Sequence, residues 1–137
     1  MIRNVLLDTG PLVAGLVRRD AFHGWASSQF KLIEPPLLTC EAVLTEACHL
    51  LGEFPEGIRQ IDVFLEQRII QTPFVLLGQR ERVFSLMRSY RNVPMSLADA
   101  CLVCMAESIP DSRVFTLDGD FRIYRQHGRK QIPLLIP

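Results

Sequence analysis

Short, wholly apolar runs alternate along the chain with longer stretches in which apolar residues recur every three or four positions. Val5-Leu6-Leu7 is such a run, followed by Asp8 and the turn-forming Gly10-Pro11, and it predicts a buried parallel strand feeding a helix. Helical spacing predicts helices from about Pro11 to Val17 and from Phe22 to Phe30. Thr39 is placed to cap a longer helix running to about Leu51, with Val43, Ala47, Leu50 and Leu51 on one stripe and Glu46 at its edge. Ile58, Ile61, Phe64 or Leu65, and Ile69 repeat at helical spacing until Pro73, after which Phe74-Val75-Leu76-Leu77 reads as a strand. Arg80 to Tyr90 is helical again, with Val83, Phe84 and Met87 inward and Arg82 and Arg88 outward. Ser96-Leu97-Ala98-Asp99 opens a helix that stays apolar almost all round through Ala106, as expected of one running through the middle of a fold. Val114-Phe115-Thr116-Leu117, ending at Asp118, and Ile132 to Ile136 read as the remaining strands.

Strands alternating with helices predict an α/β layer structure with a mainly parallel sheet flanked by helices. No repeat, low-complexity tract or linker interrupts residues 1–137, so a single domain is expected, and a hydrophobic fraction of 48% can fill its core. The first apolar run is too short to span a bilayer and is broken by Arg3, Asp8, Arg18 and Arg19, which predicts a cytoplasmic protein with no membrane role. Cys40, Cys48, Cys101 and Cys104 sit in apolar, helix-like surroundings and read as buried thiols. Cys101-Leu102-Val103-Cys104 lacks the second pair that a zinc site requires. Lys+Arg and Asp+Glu both total 15, so overall charge does not point to nucleic acid.

The acidic residues are more informative by position. In open parallel sheets the ligand crevice lies beyond the carboxyl ends of the strands, where Asp8 and Asp118 are expected. Glu46 and Asp99 reach the same edge if their helices pack beside it. Thr9, Thr116 and Asp120 flank the two strand-end aspartates and are placed to steady them. Crowded carboxylates oppose one another's ionisation unless a cation compensates, and oxygen-only donors suit Mg²⁺ or Mn²⁺, with open positions for a phosphodiester and a water. Some also have a structural reading: Ser96 and Asp99 have capping-box spacing, Asp118-Gly119-Asp120 has the composition of a turn, and Glu46 could be a satisfied helix-edge glutamate, whereas Asp8, directly after an apolar strand and before a tight turn, favours function by itself.

Taken in order, Val5-Leu6-Leu7-Asp8-Thr9-Gly10-Pro11-Leu12, Leu44-Thr45-Glu46-Ala47, Ser96-Leu97-Ala98-Asp99-Ala100 and Thr116-Leu117-Asp118-Gly119-Asp120-Phe121 resemble the four motifs of the PIN-domain nucleases. The similarity is greatest to the VapC-type toxins of toxin–antitoxin pairs and spans nearly the whole chain. It implies a three-layer PIN fold and a Mg²⁺- or Mn²⁺-dependent endoribonuclease. The implied catalytic and metal-binding set is Asp8, Glu46, Asp99 and Asp118, with Asp120 as an accessory ligand and Thr9, Ser96 and Thr116 as supporting hydroxyls. A homodimer and an antitoxin whose tail covers the acidic site are implied as well.

Arg122, Arg125, Arg129 and Lys130 are candidates for contact with RNA phosphates, and Tyr124 or His127 for stacking on a base. A groove between helices near Phe64 and Phe84 is a candidate seat for an antitoxin segment or a second protomer. Two rival readings remain: a catalytically idle module that binds RNA or protein, and an aspartic-protease-like site at Leu6-Leu7-Asp8-Thr9-Gly10. The second demands an all-β chain and gives Glu46, Asp99 and Asp118 no role.

Overall fold

The computed structural model describes residues 1–137. In chain order the elements are β1 (Val5–Leu7), α1 (Thr9–Leu16), α2 (His23–Phe30), β2 (Leu37–Leu38), α3 (Glu41–Leu50), α4 (Pro55–Glu66), β3 (Ile70–Gln71) and α5 (Leu76–Ser89). They continue with α6 (Leu97–Ser108), β4 (Arg113–Phe115), a 3-10 turn (Gly119–Arg122), the hairpin strands β5 (Arg125–Gln126) and β6 (Lys130–Gln131), and β7 (Leu134–Leu135).

Five strands form one parallel sheet in the order β3-β2-β1-β4-β7, and β5 pairs with β6 in a separate antiparallel hairpin. Side chains alternate across the pleat and divide the core in two. Leu6, Leu38, Val114 and Leu134 pack with α5 and α6 on one face. Val5, Leu7, Leu37, Phe115 and Leu135 pack with α1, α2 and α4 on the other. Helix α3 contributes to both, Val43 to the first cluster and Ala47, with Leu51 just past the end of the helix, to the second. The result is the α/β arrangement with a parallel sheet that the pattern predicts, in the three layers that the resemblance implies. An all-β protease-like chain is ruled out by the six helices.

Helix α6 is buried continuously from Ala98 to Ala106, which accounts for its nearly uniform apolar sequence. Phe115 is wedged edge-on between Trp25 and Phe30, fixing α2 against the sheet.

Several local expectations are corrected. Phe74-Val75-Leu76-Leu77 is not a strand: Leu76 begins α5, and Val75 and Leu77 are 66% and 78% exposed. The third strand is Ile70–Gln71, whose register against Leu37 and Leu38 buries Ile70. A short apolar run carries no period with which to separate a strand from the first turn of a helix. In α5 it is Leu86, with Val83, that turns inward, while Phe84 is exposed. Arg82 is not a solvated outward residue, because Glu107 binds its guanidinium. Leu50 leaves the α3 stripe and is 64% exposed at the end of the helix. Thr39 caps no helix: it is wholly buried, its hydroxyl donates to the Leu7 carbonyl at 2.7 Å, and Cys40 occupies the N-cap position. Strand β4 begins at Arg113 and ends at Phe115, two residues short of the expected Leu117, and β7 covers only Leu134–Leu135 of the expected Ile132 to Ile136.

No groove joins Phe64 to Phe84, since they belong to opposite faces of the sheet. Phe64 instead lines a mainly apolar cavity of about 330 Å³ with Leu12, Leu16, Phe30 and Ile69. No helix is long and apolar enough to cross a membrane.

Candidate active site

The strand order reverses at β1, with β2 on one side and β4 on the other, so the crevice between the carboxyl ends of β1 and β4 is the topological switch point of the sheet. Leu7 pairs with Phe115, which brings the next residues, Asp8 and Thr116, side by side. The Asp8 amide donates to the Phe115 carbonyl at 3.0 Å. Asp8 is also the N-cap of α1: its Oδ1 accepts the Thr9 amide at 2.8 Å, while Oδ2 accepts the Thr116 hydroxyl at 2.6 Å. The Thr116 Oγ1 in turn accepts the Asp118 amide at 2.9 Å. One hydroxyl therefore couples the first carboxylate to the loop carrying the fourth.

Thr9 faces the other way and donates its hydroxyl to Glu46 Oε2 at 2.9 Å, drawing the exposed side of α3 toward the crevice. Asp99 forms the capping box expected from its spacing: the Ser96 hydroxyl accepts the Asp99 amide at 3.1 Å, and Asp99 Oδ2 accepts the Ser96 amide at 3.2 Å. The same Oδ2 accepts the Tyr124 hydroxyl at 3.2 Å. Asp118 caps the 3-10 turn by accepting the Asp120 amide at 2.9 Å. Asp120 lies in that turn, half-buried, and no hydrogen bond ties its carboxylate to the other four.

Burial dominates the electrostatics. It raises the Asp8 carboxyl from 3.8 to about 6 against the lowering effect of Thr116 and Thr9, with the charges of Asp99 and Glu46 adding to the rise. Asp99 is also raised, first by burial and then by the Asp118 charge, although Ser96 and Tyr124 oppose this. No basic side chain compensates: the ion pairs are Arg3–Glu34, Arg59–Glu56, Arg80–Glu81 and Arg82–Glu107, none involving the crevice.

An uncompensated set of hard oxygen donors fits a divalent cation such as Mg²⁺ or Mn²⁺ in its chemistry. The carboxylates are neighbours without forming a closed cage. No three His, Cys, Asp or Glu side chains converge closely enough to hold a metal ion as they stand. Glu46 is exposed and held by a single hydroxyl.

The basic candidates divide. Arg122, Arg129 and Lys130 are exposed, whereas Arg125 directs one guanidinium nitrogen onto the carbonyls of Arg122, Ile123 and Tyr124. Tyr124 is unavailable for stacking on a base, because it is fully buried and packs edge-on against Tyr90 and Phe121. Its contact with Asp99 and the Thr39 tie to β1 are features that local sequence did not signal.

No family model and no curated protein sequence matches the chain. Among solved structures, it is similar to VapC20 of Mycobacterium tuberculosis, described as a toxin that cleaves the sarcin-ricin loop. The two share 21% identity at a TM-score of 0.71, over 85% of this chain and 91% of that one. That likeness concerns backbone architecture, and with the parallel sheet and its flanking helices it identifies the chain as having the VapC-like PIN fold.

Proposed function

We propose that this protein is a Mg²⁺- or Mn²⁺-dependent endoribonuclease and the toxin of a toxin–antitoxin pair. The observation that carries the reading is Asp8: a buried carboxylate at the switch point of the sheet, raised further by Asp99 and Glu46 and paired with no cation of the protein. Such an arrangement is costly unless something positive is bound there. The choice of RNA as substrate rests on the likeness to VapC20, and RNA hydrolysis would place the protein in the cytoplasm.

Asp8, Glu46, Asp99 and Asp118 would hold the cation, with Asp120 as an accessory. When bound, a divalent ion in such a site lowers the pKa of a coordinated water and offsets the charge on a phosphodiester. The protein's own contribution is orientation. Thr116 and the Thr9 amide fix both oxygens of Asp8, Ser96 fixes Asp99, and Thr9 holds Glu46 in reach. Exposed Arg122, Arg129 and Lys130 supply positive charge for the phosphate backbone. A second copy of the chain and an antitoxin are the expected protein partners, on the same likeness.

Incubation of the purified protein with a mixed RNA pool, with and without EDTA, tests the proposal. Cleavage should require the metal and be lost in Asp8→Asn and Asp99→Asn. Cleavage indifferent to EDTA and to both substitutions would sink it.

One observation favours a second reading. Asp8 and Asp118 cap a helix and a turn and Asp99 completes the capping box of Ser96, so all three have structural employment in an idle RNA-binding module. That reading predicts RNA binding without cleavage by the wild-type chain under any metal.

A further inference from the structure

Tyr124 is the largest of the fully buried side chains, and its hydroxyl is spent on Asp99. The geometry at that carboxylate is asymmetric. Oδ2 accepts two hydrogen bonds, from the Ser96 amide and the Tyr124 hydroxyl, whereas Oδ1 accepts none from the protein. No fully enclosed side-chain oxygen in the molecule lacks a partner, so Oδ1, which accepts no hydrogen bond, retains some exposure. A carboxylate oxygen has two in-plane lone-pair directions. With those of Oδ2 both occupied, rotation of the carboxylate would break two bonds at once.

We propose that Tyr124 is a positioning residue that holds Asp99 with Oδ1 presented to the metal; this rests on the metal-dependent reading above. The ring is itself fixed. It packs against Phe121 in the 3-10 turn after Asp118 and against Tyr90 at the end of α5, each at a centroid distance of 5.2 Å. Tyr124 thus links the loop of the fourth carboxylate to the orientation of the third. Outer hydrogen-bond partners of this kind set the direction and basicity of a metal ligand.

The test is Mn²⁺ affinity, read by electron paramagnetic resonance of free Mn²⁺, for wild type, Tyr124→Phe and Tyr90→Phe. Tyr124→Phe removes one hydroxyl and retains the ring stack. Its Mn²⁺ affinity should fall about 10- to 100-fold, the range typical of lost outer partners. Tyr90→Phe keeps the same stack and loses a hydroxyl that accepts only the Arg125 amide, so it should bind as wild type does. A second measurement uses the unmodified chain: Mn²⁺ or Mg²⁺ should perturb the tyrosine absorption band as charge is drawn from the carboxylate that Tyr124 faces. Wild-type binding with unchanged affinity in Tyr124→Phe, or without any tyrosine perturbation, overturns this inference alone. A wild-type chain that binds no Mn²⁺ overturns the metal reading and this inference together.

Discussion

Thr116 donates its hydroxyl to Asp8 Oδ2 at 2.6 Å and receives the Asp118 amide at 2.9 Å, bridging two carboxylate loops far apart in sequence. The parallel register of β1 and β4 brings the two side chains within reach, since pairing Leu7 with Phe115 leaves Asp8 and Thr116 as the next neighbours.

Thr116→Val keeps the shape of the side chain and removes both bonds. Leaving a buried carboxylate oxygen and a backbone amide without this partner should cost about 1–3 kcal/mol in the metal-free protein. Metal-dependent cleavage should fall about 10- to 100-fold. Thr116→Ser, which retains the hydroxyl, should stay near wild type in both urea denaturation and RNA cleavage. A Val variant as active as the Ser variant would show that the bridge has no bearing on the site.

Asp8 makes metal-free stability depend on pH. Its carboxyl titrates at 3.8 when unfolded and at about 6 when folded, so the folded state holds the proton more tightly. Well below pH 3.8 both states are protonated and nothing is lost. As pH rises toward 6 the unfolded chain ionises first and stability declines, by up to about 3 kcal/mol at 1.36 kcal/mol per pKa unit. Asp99, raised in the same direction, adds to the decline. Urea denaturation in EDTA should therefore show wild type losing stability relative to Asp8→Asn across this window, with Mg²⁺ restoring it at neutral pH. A wild-type-minus-variant difference that is flat with pH would contradict the assignment.

The parts of this site that could be read in advance are those in which one short segment contains both the structural signal and the chemistry. Asp8 ends an apolar run and begins a helix, and Ser96 with Asp99 spells a capping box, so residue order signals both local structures, while any role of Asp99 beyond the cap is suggested only by its company with the other carboxylates. Asp118 reads locally as part of a turn, as the structure has it: β4 stops at Phe115 and the carboxylate caps the 3-10 turn beyond. Tyr124 was misread because its role depends on packing against Tyr90 and Asp99 from other elements, and a tyrosine among arginines has the same local pattern as one exposed to RNA. The two-residue strands β2 and β3 are too short to show any period. Phe74 to Leu77 failed for the related reason that an exposed first helical turn can be as apolar as a strand.

Gly15 is required by the contact between α1 and α2. A Cβ there would lie 2.8 Å from Cε2 of Phe30, whose ring is held against Phe115 at 5.1 Å. Gly15→Ala should destabilise by about 1–3 kcal/mol, as overpacking does. Gly78 in α5 is the contrast, since its Cβ would meet nothing within 4 Å. Gly78→Ala should be neutral or stabilise by up to about 1 kcal/mol through helix propensity. Chemical denaturation of both variants checks the pair, and equal effects would show that the Phe30 contact is not limiting.

Glu107 fastens the basic hairpin to the helical layer. Its two oxygens accept Arg82 Nε at 2.8 Å and Nη2 at 2.7 Å, and Oε2 also accepts the His127 amide at 2.6 Å. His127 and Gly128 occupy the left-handed region at φ 54° and 73°, so the turn between β5 and β6 is formed by residues that gain from an outside anchor. The Glu107 side chain is only 10% exposed, which places this pair between a screened surface bridge and a buried one. Glu107→Gln removes the charge that matches the guanidinium and weakens the acceptor for His127. Global stability should fall by about 1–3 kcal/mol. The more specific consequence is local: amide exchange in residues 125–131 should accelerate more than in β1 or α6, because the hairpin has only one antiparallel partner strand to hold it. Arg82→Ala should produce the same exchange pattern more weakly, as the His127 bond survives, and the double variant should be less than additive because both changes remove one shared interaction. Uniform exchange across the whole protein would instead assign the trio to global stability, with no separate anchoring of the hairpin that carries Arg129 and Lys130.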